Sequence, residues 1–193
     1  PIWLAKQLAT LDFHSQGRLE VGVGFGWNRE EYEAHGHKFS DRYTRTKDNV
    51  GIMRALWSQD EASFVGERES LEPSWSWPKP SRNIPLLLGG GSGPRLLSHL
   101  FEWGDGWMPI RNPKGSFVDD VVNVHRLAKE AGRDPASISI TVMNAPQSVD
   151  ELAELGELGV DRVVFTIWPQ EPDAVLSELD RFTSIADSFL SRT

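Results

Sequence analysis

Glycines and then aromatic, amide and charged residues follow one another in the stretch VGVGFGWNREE, residues 21–31. Gly24 and Gly26 belong to a set of glycines that alternate along a predicted strand, and a strand end without side chains leaves room for a flat ligand. Trp27 can form a wall of that space, while Asn28 can either hydrogen-bond a ring edge or cap the following helix. The competing interpretation is a crowded corner of the fold where only glycine fits.

Three titratable residues within and just after this stretch can move protons. Glu30 and Glu31 lie in the predicted helix, and His35 lies one helical turn after Glu31, so Glu31 and His35 share a face. Histidine titrates near neutral pH, which suits general acid–base catalysis. The competing interpretation is a solvated helix surface. The spacing matches no established metal signature, and we therefore predict no metal site.

A second glycine-rich stretch, GGGSGP, follows a predicted buried strand. Gly89, Gly90 and Gly91 let a ligand approach the backbone N–H groups, and Ser92 adds a hydroxyl. Pro94 starts a helix whose positive N-terminal end favours phosphate. The stretch predicts either a phosphate site or a tight turn without a ligand. It has neither the GK[ST] of a Walker loop nor the GxGxxG spacing of dinucleotide-binding proteins.

Two cations, Arg111 and Lys114, follow the third predicted strand. Ligands of parallel sheets bind beyond the carboxyl ends of the strands, so these side chains can meet an anionic substrate or an acidic cofactor tail. The competing interpretation is a pair of solvated loop cations.

Five strand-then-helix units must position these residues. Their alternation predicts an α/β fold with a parallel sheet, either open or part of a barrel, in which the strand ends meet at one edge. Residues 58–84 break the alternation and are predicted to form an insertion, with a hairpin turning at Gly66 and Glu67 before a Pro- and Trp-rich stretch. The predicted strands are residues 19–23, 85–88, 106–110, 138–143 and 162–167. The predicted helices begin near residues 2, 28, 40, 94, 116, 148 and 172.

Two burial patterns follow from the apolar positions. The fifth predicted strand is nearly all apolar, which is typical of a parallel strand covered on both faces. The helix predicted from residue 40 to residue 57 carries an apolar face that should lie in the core. That face consists of Tyr43, Val50, Met53, Leu56 and Trp57.

Composition excludes several classes of function. The 193 residues fit one domain, residues 1–193, and carry a net charge of −8, which disfavours nucleic acid as a partner. The sequence has no cysteine and therefore no disulfide or thiolate chemistry. It has no apolar run of membrane-spanning length, so we expect no membrane partner and take the cytoplasm as the default location.

Taken in order, several stretches resemble the luciferase-like monooxygenase family. They are LATLDFHSQGRLEVGVGFGWNREEYEAHG, FSDRYTRTKDNVGIMRALW, IPLLLGGGSGPRLL, GDGWMPI, AGRDPASISITV and LGVDRVVF. The series resembles most closely the deazaflavin-dependent branch, whose members use coenzyme F-420 where luciferase itself uses reduced FMN. The resemblance implies a (β/α)8 TIM barrel, of which we expect this chain to be about the last five units, with an insertion after the first of them.

The resemblance also implies roles for individual residues. Gly24, Gly26, Trp27 and Asn28 would border the isoalloxazine-type ring. The loop formed by Gly89, Gly90, Gly91 and Ser92 would hold the cofactor phosphate. Arg111 and Lys114 would lie near the substrate or the cofactor tail.

The resemblance implies hydride transfer between coenzyme F-420 and a small organic substrate. Glu30, Glu31 and His35 are the candidate proton-transfer residues on this chain. An FMN-dependent monooxygenase is the first alternative. The second is a truncated, non-catalytic homologue that acts as an interaction or dimerisation module, because open sheet edges tend to pair with another chain. A homodimer is therefore an expected partner state.

Overall fold

The computed structural model describes residues 1–112 and 117–192, which fall into two compact units, Pro1–Leu86 and Leu87–Thr193. In the first unit a short 3₁₀ turn, Phe39–Asp41, precedes the longest helix. The helices of this unit are α1 (Ile2–Ser15), α2 (Arg29–Ala34) and α3 (Arg42–Ser58), and its strands are β1 (Val21–Val23), β2 (Ala62–Val65) and β3 (Ser70–Ser74).

Helix α3 is the centre of the first unit. Four of the five residues predicted for its buried face are buried, and Tyr43 is half-buried. Small residues of α1, Ala5 and Ala9, are also buried and let the two helices approach closely. The Trp57 indole N–H donates to the Ala5 carbonyl at 2.9 Å, so the largest side chain at this contact has its polar atom satisfied.

The antiparallel β2–β3 hairpin packs on α3, and Asp48 of that helix holds the hairpin turn. Asp48 is 4% exposed, and its Oδ2 accepts from the Arg68 N–H at 2.6 Å and the Glu69 N–H at 3.1 Å. A Cβ at Gly66 would collide with the Asp48 carboxylate, so glycine is needed where the hairpin turns. The hairpin prediction is confirmed, with the turn closed by the Gly66 N–H and the Glu69 carbonyl.

Two charged side chains hold the Pro- and Trp-rich stretch in place, one from α1 and one from the stretch itself. Asp12 is fully buried, and its Oδ2 accepts from the Ser81 N–H at 2.8 Å and the Ser81 hydroxyl at 2.7 Å. The Lys79 ammonium donates to the carbonyls of Leu56 at 2.8 Å and Gln59 at 2.5 Å, which satisfies the C-terminal end of α3. The irregular stretch is therefore ordered by charged hydrogen bonds rather than by secondary structure.

The second unit is a parallel sheet with helices between its strands. Its strands run in the order β4–β5–β6–β7, and Leu87 pairs with Gly106 in a ladder that brings all strand ends to one edge. The strands are β4 (Leu86–Gly89), β5 (Gly106–Met108), β6 (Ser139–Met143) and β7 (Arg162–Val164), and the helices are α4 (Pro94–Trp103), α5 (Phe117–Glu130), α6 (Val149–Glu157) and α7 (Pro172–Leu190). The predicted α/β fold with parallel strands is confirmed.

Strand β7 differs from its prediction. It ends at Val164 rather than at residue 167, Arg162 is exposed, and Val163 and Val164 are only half-buried. The expectation of two covered faces is therefore wrong. The reason is that β7 lies at the end of the strand order and pairs only with β6 among the residues that the structure describes.

We expect Asp48→Ala to lower the free energy of unfolding by about 3 kcal/mol, because the N–H groups of Arg68 and Glu69 at the hairpin turn lose a charged acceptor. Urea denaturation of the variant measures the loss. Asp60→Ala, which truncates an exposed aspartate just after α3, is the matched control and should change stability by less than about 0.5 kcal/mol. Equal stability of the two variants would show that the turn does not depend on Asp48.

Replacing each of two helical glycines with alanine should change the free energy of unfolding in opposite directions. A Cβ at Gly51 in α3 would collide with the Phe64 ring of β2, whereas a Cβ at Gly156 in α6 would meet no atom within 4 Å. Gly156→Ala should therefore raise the free energy of unfolding by roughly 0.5–1 kcal/mol through helix propensity. Gly51→Ala should lower it by roughly 1 kcal/mol through overpacking. Stabilisation by both substitutions, measured by chemical denaturation, would refute the close packing of the hairpin on α3.

Candidate functional site

A cavity of about 530 Å³ opens where β1 ends, within the first unit. Two walls face each other across it. One comes from the loop after β1, from α2 and from the loop that follows, and the other comes from the first half of α3. The lining residues are Gly26, Trp27, Asn28, Glu31, Tyr32, His35, His37, Arg45, Thr46 and Asn49.

The end of β1 is open rather than crowded. A Cβ at Gly24 would meet no atom within 4 Å, and Gly26 has a φ of +75°, a conformation that glycine adopts without strain. Trp27 follows directly and is 88% exposed, so a face of its indole is available to a flat ligand. No described residue crowds Gly24 or Gly26, so the crowded-corner interpretation does not hold for these two glycines.

Asn28 acts as a helix cap. Its Oδ1 accepts from the Glu31 N–H at 3.2 Å, which satisfies one of the free N–H groups at the start of α2. Of the two roles considered for Asn28, the structure shows the cap. The cap sets the rotation of α2 so that Glu31 and His35 both line the cavity, whereas Glu30 lies outside the lining.

The α3 wall contains residues that sequence reasoning missed. Arg45, Thr46 and Asn49 are one turn of the helix that faces the cavity. Arg45 forms an ion pair with Glu69, whose N–H is held by Asp48, so the hairpin orients this wall. The sequence signal that could have identified these residues is a cluster of polar side chains one turn apart on a helix with an otherwise apolar face.

Stacked rings hold the two walls together. Phe25 is buried and stacks on Tyr43 with ring centroids 4.3 Å apart. The Arg42 guanidinium lies over the Phe39 ring at 3.9 Å, and Tyr32 contacts the same ring edge-on. These contacts fix the segment between β1 and α3, and with it the position of Trp27.

The glycine loop of the second unit begins at the end of β4. The Trp107 indole N–H of β5 donates to the Gly90 carbonyl at 2.9 Å, which ties the loop to the neighbouring strand. A Cβ at Gly91 or Gly93 would meet no atom within 4 Å, so a ligand can approach the backbone there. The Ser92 hydroxyl, however, donates to Asp120 at 2.5 Å, which places a carboxylate beside the predicted phosphate position.

Arg111 lies in a smaller cavity of about 150 Å³ in the second unit. Its guanidinium is 3.7 Å from the Glu151 carboxylate, and Glu154 lines the same cavity. Its positive charge is therefore partly compensated. Lys114, the other predicted substrate cation, lies outside the described residues, so a joint role of the two stays a prediction.

Two kinds of feature are absent from residues 1–112 and 117–192. No group of three or more histidine, aspartate or glutamate side chains there is arranged to hold a metal ion. No helix in this part of the chain is long and apolar enough to cross a membrane.

The chain is similar in sequence to the following relatives. It is 38% identical over 188 residues to the uncharacterised protein Rv0953c of Mycobacterium tuberculosis, which covers 95% of this chain and 65% of the relative. It is 28% identical over 111 residues to the F-420-dependent glucose-6-phosphate dehydrogenase of Amycolatopsis mediterranei, covering 56% and 33% of the two chains. It is 35% identical over 95 residues to the FMNH(2)-dependent dimethylsulfone monooxygenase of Pseudomonas fluorescens, covering 48% and 26%.

The fold is also found among solved structures. An F-420-dependent secondary alcohol dehydrogenase in complex with an F-420–acetone adduct superposes with a TM-score of 0.60 and 19% sequence identity, covering 96% of this chain and 66% of that one. Residues 1–158 match the family described as luciferase-like monooxygenase. The resemblance carried by the six sequence stretches is thereby confirmed, and the chain belongs to the luciferase-like monooxygenase family.

Proposed function

We propose that the protein takes part in hydride transfer between coenzyme F-420 and a small organic substrate. The observation that carries the proposal is the open cavity beside the end of β1, where Trp27 exposes its ring and Gly24 and Gly26 leave space. The relatives of this chain include two kinds of oxidoreductase, one F-420-dependent and the other FMN-dependent. The choice of cofactor and the substrate are part of the proposal.

The cavity fits a planar tricyclic ring in size and chemistry. Its volume of about 530 Å³ lies within the range of roughly 300–1,000 Å³ that is usual for small-molecule sites. Trp27 offers a stacking surface, and Thr46 and Arg45 bring polar atoms to the opposite wall. Coenzyme F-420 would supply a ring carbon that accepts or donates hydride, so the protein's share is positioning and electrostatics.

Glu31 and His35 are the residues that we propose for proton transfer. Both line the cavity, and the cap at Asn28 holds the helix that carries them. A carboxylate and an imidazole one helical turn apart can take up and release a substrate proton in turn. Glu30, which lies outside the lining, is the weaker of the three candidates.

We propose that the glycine loop of the second unit binds a phosphate group. The open backbone at Gly91 and Gly93 and the start of α4 support this role, because a helix N-terminus attracts anions. Asp120 opposes it, since its carboxylate holds the Ser92 hydroxyl and repels an anion. Arg111 is the proposed contact for an anionic substrate or cofactor tail, with Glu151 as a competing partner.

An FMN-dependent monooxygenase is the second candidate. The similarity to the FMNH(2)-dependent dimethylsulfone monooxygenase favours it. Both cofactors carry a planar tricyclic ring of similar size, although the ring atoms and the tails differ, so the cavity beside β1 suits both. Parallel titrations with F-420 and with reduced FMN separate the two candidates.

We expect Trp27→Ala to weaken F-420 binding about tenfold or more, because stacking a planar ring on an aromatic side chain contributes roughly 1–3 kcal/mol. Fluorescence titration of the purified chain with F-420 measures the affinity. Trp75→Ala is the matched control, since Trp75 is also exposed in the first unit but lies outside the cavity lining. Unchanged affinity in Trp27→Ala, or equal loss in both variants, would contradict the proposed ring site.

We expect Asp120→Asn to tighten binding of a phosphate-bearing cofactor roughly two- to fivefold, since it removes a negative charge beside the loop. Asp119→Asn, a neighbouring exposed aspartate on α5, is the control and should leave the affinity unchanged. Isothermal titration calorimetry with F-420 compares the two variants. Weaker binding in Asp120→Asn would show that the loop does not hold the phosphate in the proposed way.

A further inference from the structure

A carboxylate lies beside the glycine loop of the second unit. The Ser92 hydroxyl, at the end of the loop, donates to the Oδ1 atom of Asp120 at 2.5 Å. Both residues are half-buried, and Asp120 lies in the first turn of α5, where the partial positive charge of a helix N-terminus favours a carboxylate. An anion bound by the loop would therefore lie close to a negative charge of the protein.

A buried tryptophan fixes the position of Asp120 relative to the loop. Trp107 of β5 is 1% exposed, and its indole N–H donates to the Gly90 carbonyl at 2.9 Å. The same side chain stacks on Phe117, the first residue of α5, with ring centroids 6.0 Å apart. Asp120 follows Phe117 by three residues and therefore lies on the same side of α5. One side chain thus holds both the loop and the helical turn that carries the carboxylate.

The bond to Asp120 changes what Ser92 can offer to a ligand. A serine hydroxyl has one proton to donate, and here the carboxylate accepts it. The hydroxyl then remains only as an acceptor, and a phosphate oxygen is an acceptor as well. Gly91 and Gly93 are exposed, and a Cβ at either would meet no atom within 4 Å, so the backbone is the part of the loop that is open to a phosphate.

The repulsion between Asp120 and a phosphate depends on how the phosphate is esterified. A phosphate diester carries one negative charge, whereas a phosphate monoester carries about two above neutral pH. Coulomb energy is proportional to the charge of the ligand, so a carboxylate disfavours a monoester by about twice the free energy that it costs a diester. Other charged groups near the loop act on both esters as well, but the share of Asp120 stays proportional to the ligand charge.

We propose that Asp120 determines specificity at the glycine loop and makes the loop favour a phosphate diester over a phosphate monoester. The inference rests on the phosphate site of the proposed function. FMN ends in a phosphate monoester, whereas the phosphate of coenzyme F-420 is a diester that joins the ribityl chain to the acidic tail. Asp120 therefore favours F-420 over FMN through the phosphate rather than through the ring.

Three ligands with the same ring isolate the charge of the phosphate group. Each consists of the F-420 ring and its ribityl chain, which ends in a hydroxyl, in a methyl phosphate diester or in a phosphate monoester. Fluorescence titration of the purified protein at about pH 8, where the monoester is doubly charged, gives the three affinities. Asp120→Asn should tighten binding of the diester roughly two- to fivefold and of the monoester roughly four- to twenty-five-fold. Binding of the hydroxyl ligand should not change.

Two further variants separate the charge of Asp120 from its structural role. Asp119→Asn removes the neighbouring exposed carboxylate of α5 and should leave the ratio of diester to monoester affinity unchanged. Ser92→Ala removes the hydrogen bond but keeps the charge of Asp120, so it should also keep that ratio. An equal gain for both esters in Asp120→Asn, or no gain, would overturn the inference. So would a ratio that Ser92→Ala changes as much as Asp120→Asn does.

A side chain at Gly91 tests the underlying phosphate site separately. Because a Cβ there would meet no atom within 4 Å, Gly91→Leu should obstruct a ligand without disturbing the fold. It should weaken binding of both esters at least about tenfold and leave binding of the hydroxyl ligand unchanged. Unchanged ester affinities in Gly91→Leu would overturn the proposed phosphate site together with this inference. Weaker ester binding in Gly91→Leu, with no charge-dependent gain in Asp120→Asn, would overturn the inference alone.

Discussion

The buried carboxylate of Asp48 is the constraint on which the candidate site depends. A charge can lie in the interior only when hydrogen bonds replace its water, and the N–H groups of Arg68 and Glu69 do so here. Those bonds fix the hairpin turn, which presents the Glu69 carboxylate to Arg45. One wall of the cavity is therefore positioned by a hairpin that itself lies outside it.

The other wall depends on interactions between residues that are close together in the sequence. The cap at Asn28, the glycines before Trp27 and the stacking of Phe25 on Tyr43 all act within about twenty residues along the chain. Residue types and spacing offered the cap and the open strand end as alternatives, whereas the stacking of the two rings was not predicted.

Long-range pairing explains what sequence reasoning could not provide. The order of elements predicted the parallel sheet, because alternating strands and helices permit little else. The exposure of β7 could not be predicted, since an apolar strand reads the same at an edge and in the middle of a sheet. The ion pair of Arg45 with Glu69 and the bond from Ser92 to Asp120 join residues far apart in the chain, so no local pattern indicated them.

The proposed function requires that a tricyclic ring binds against Trp27 in the cavity beside β1. The most direct test records the indole N–H signals of the eight tryptophans by nitrogen-15 NMR while F-420 is added. We expect the Trp27 signal to shift first and most, and the signal of Trp75, which lies outside the cavity lining, to stay in place. A Trp27 signal that remains unchanged while F-420 binds would show that the ring does not lie in this cavity.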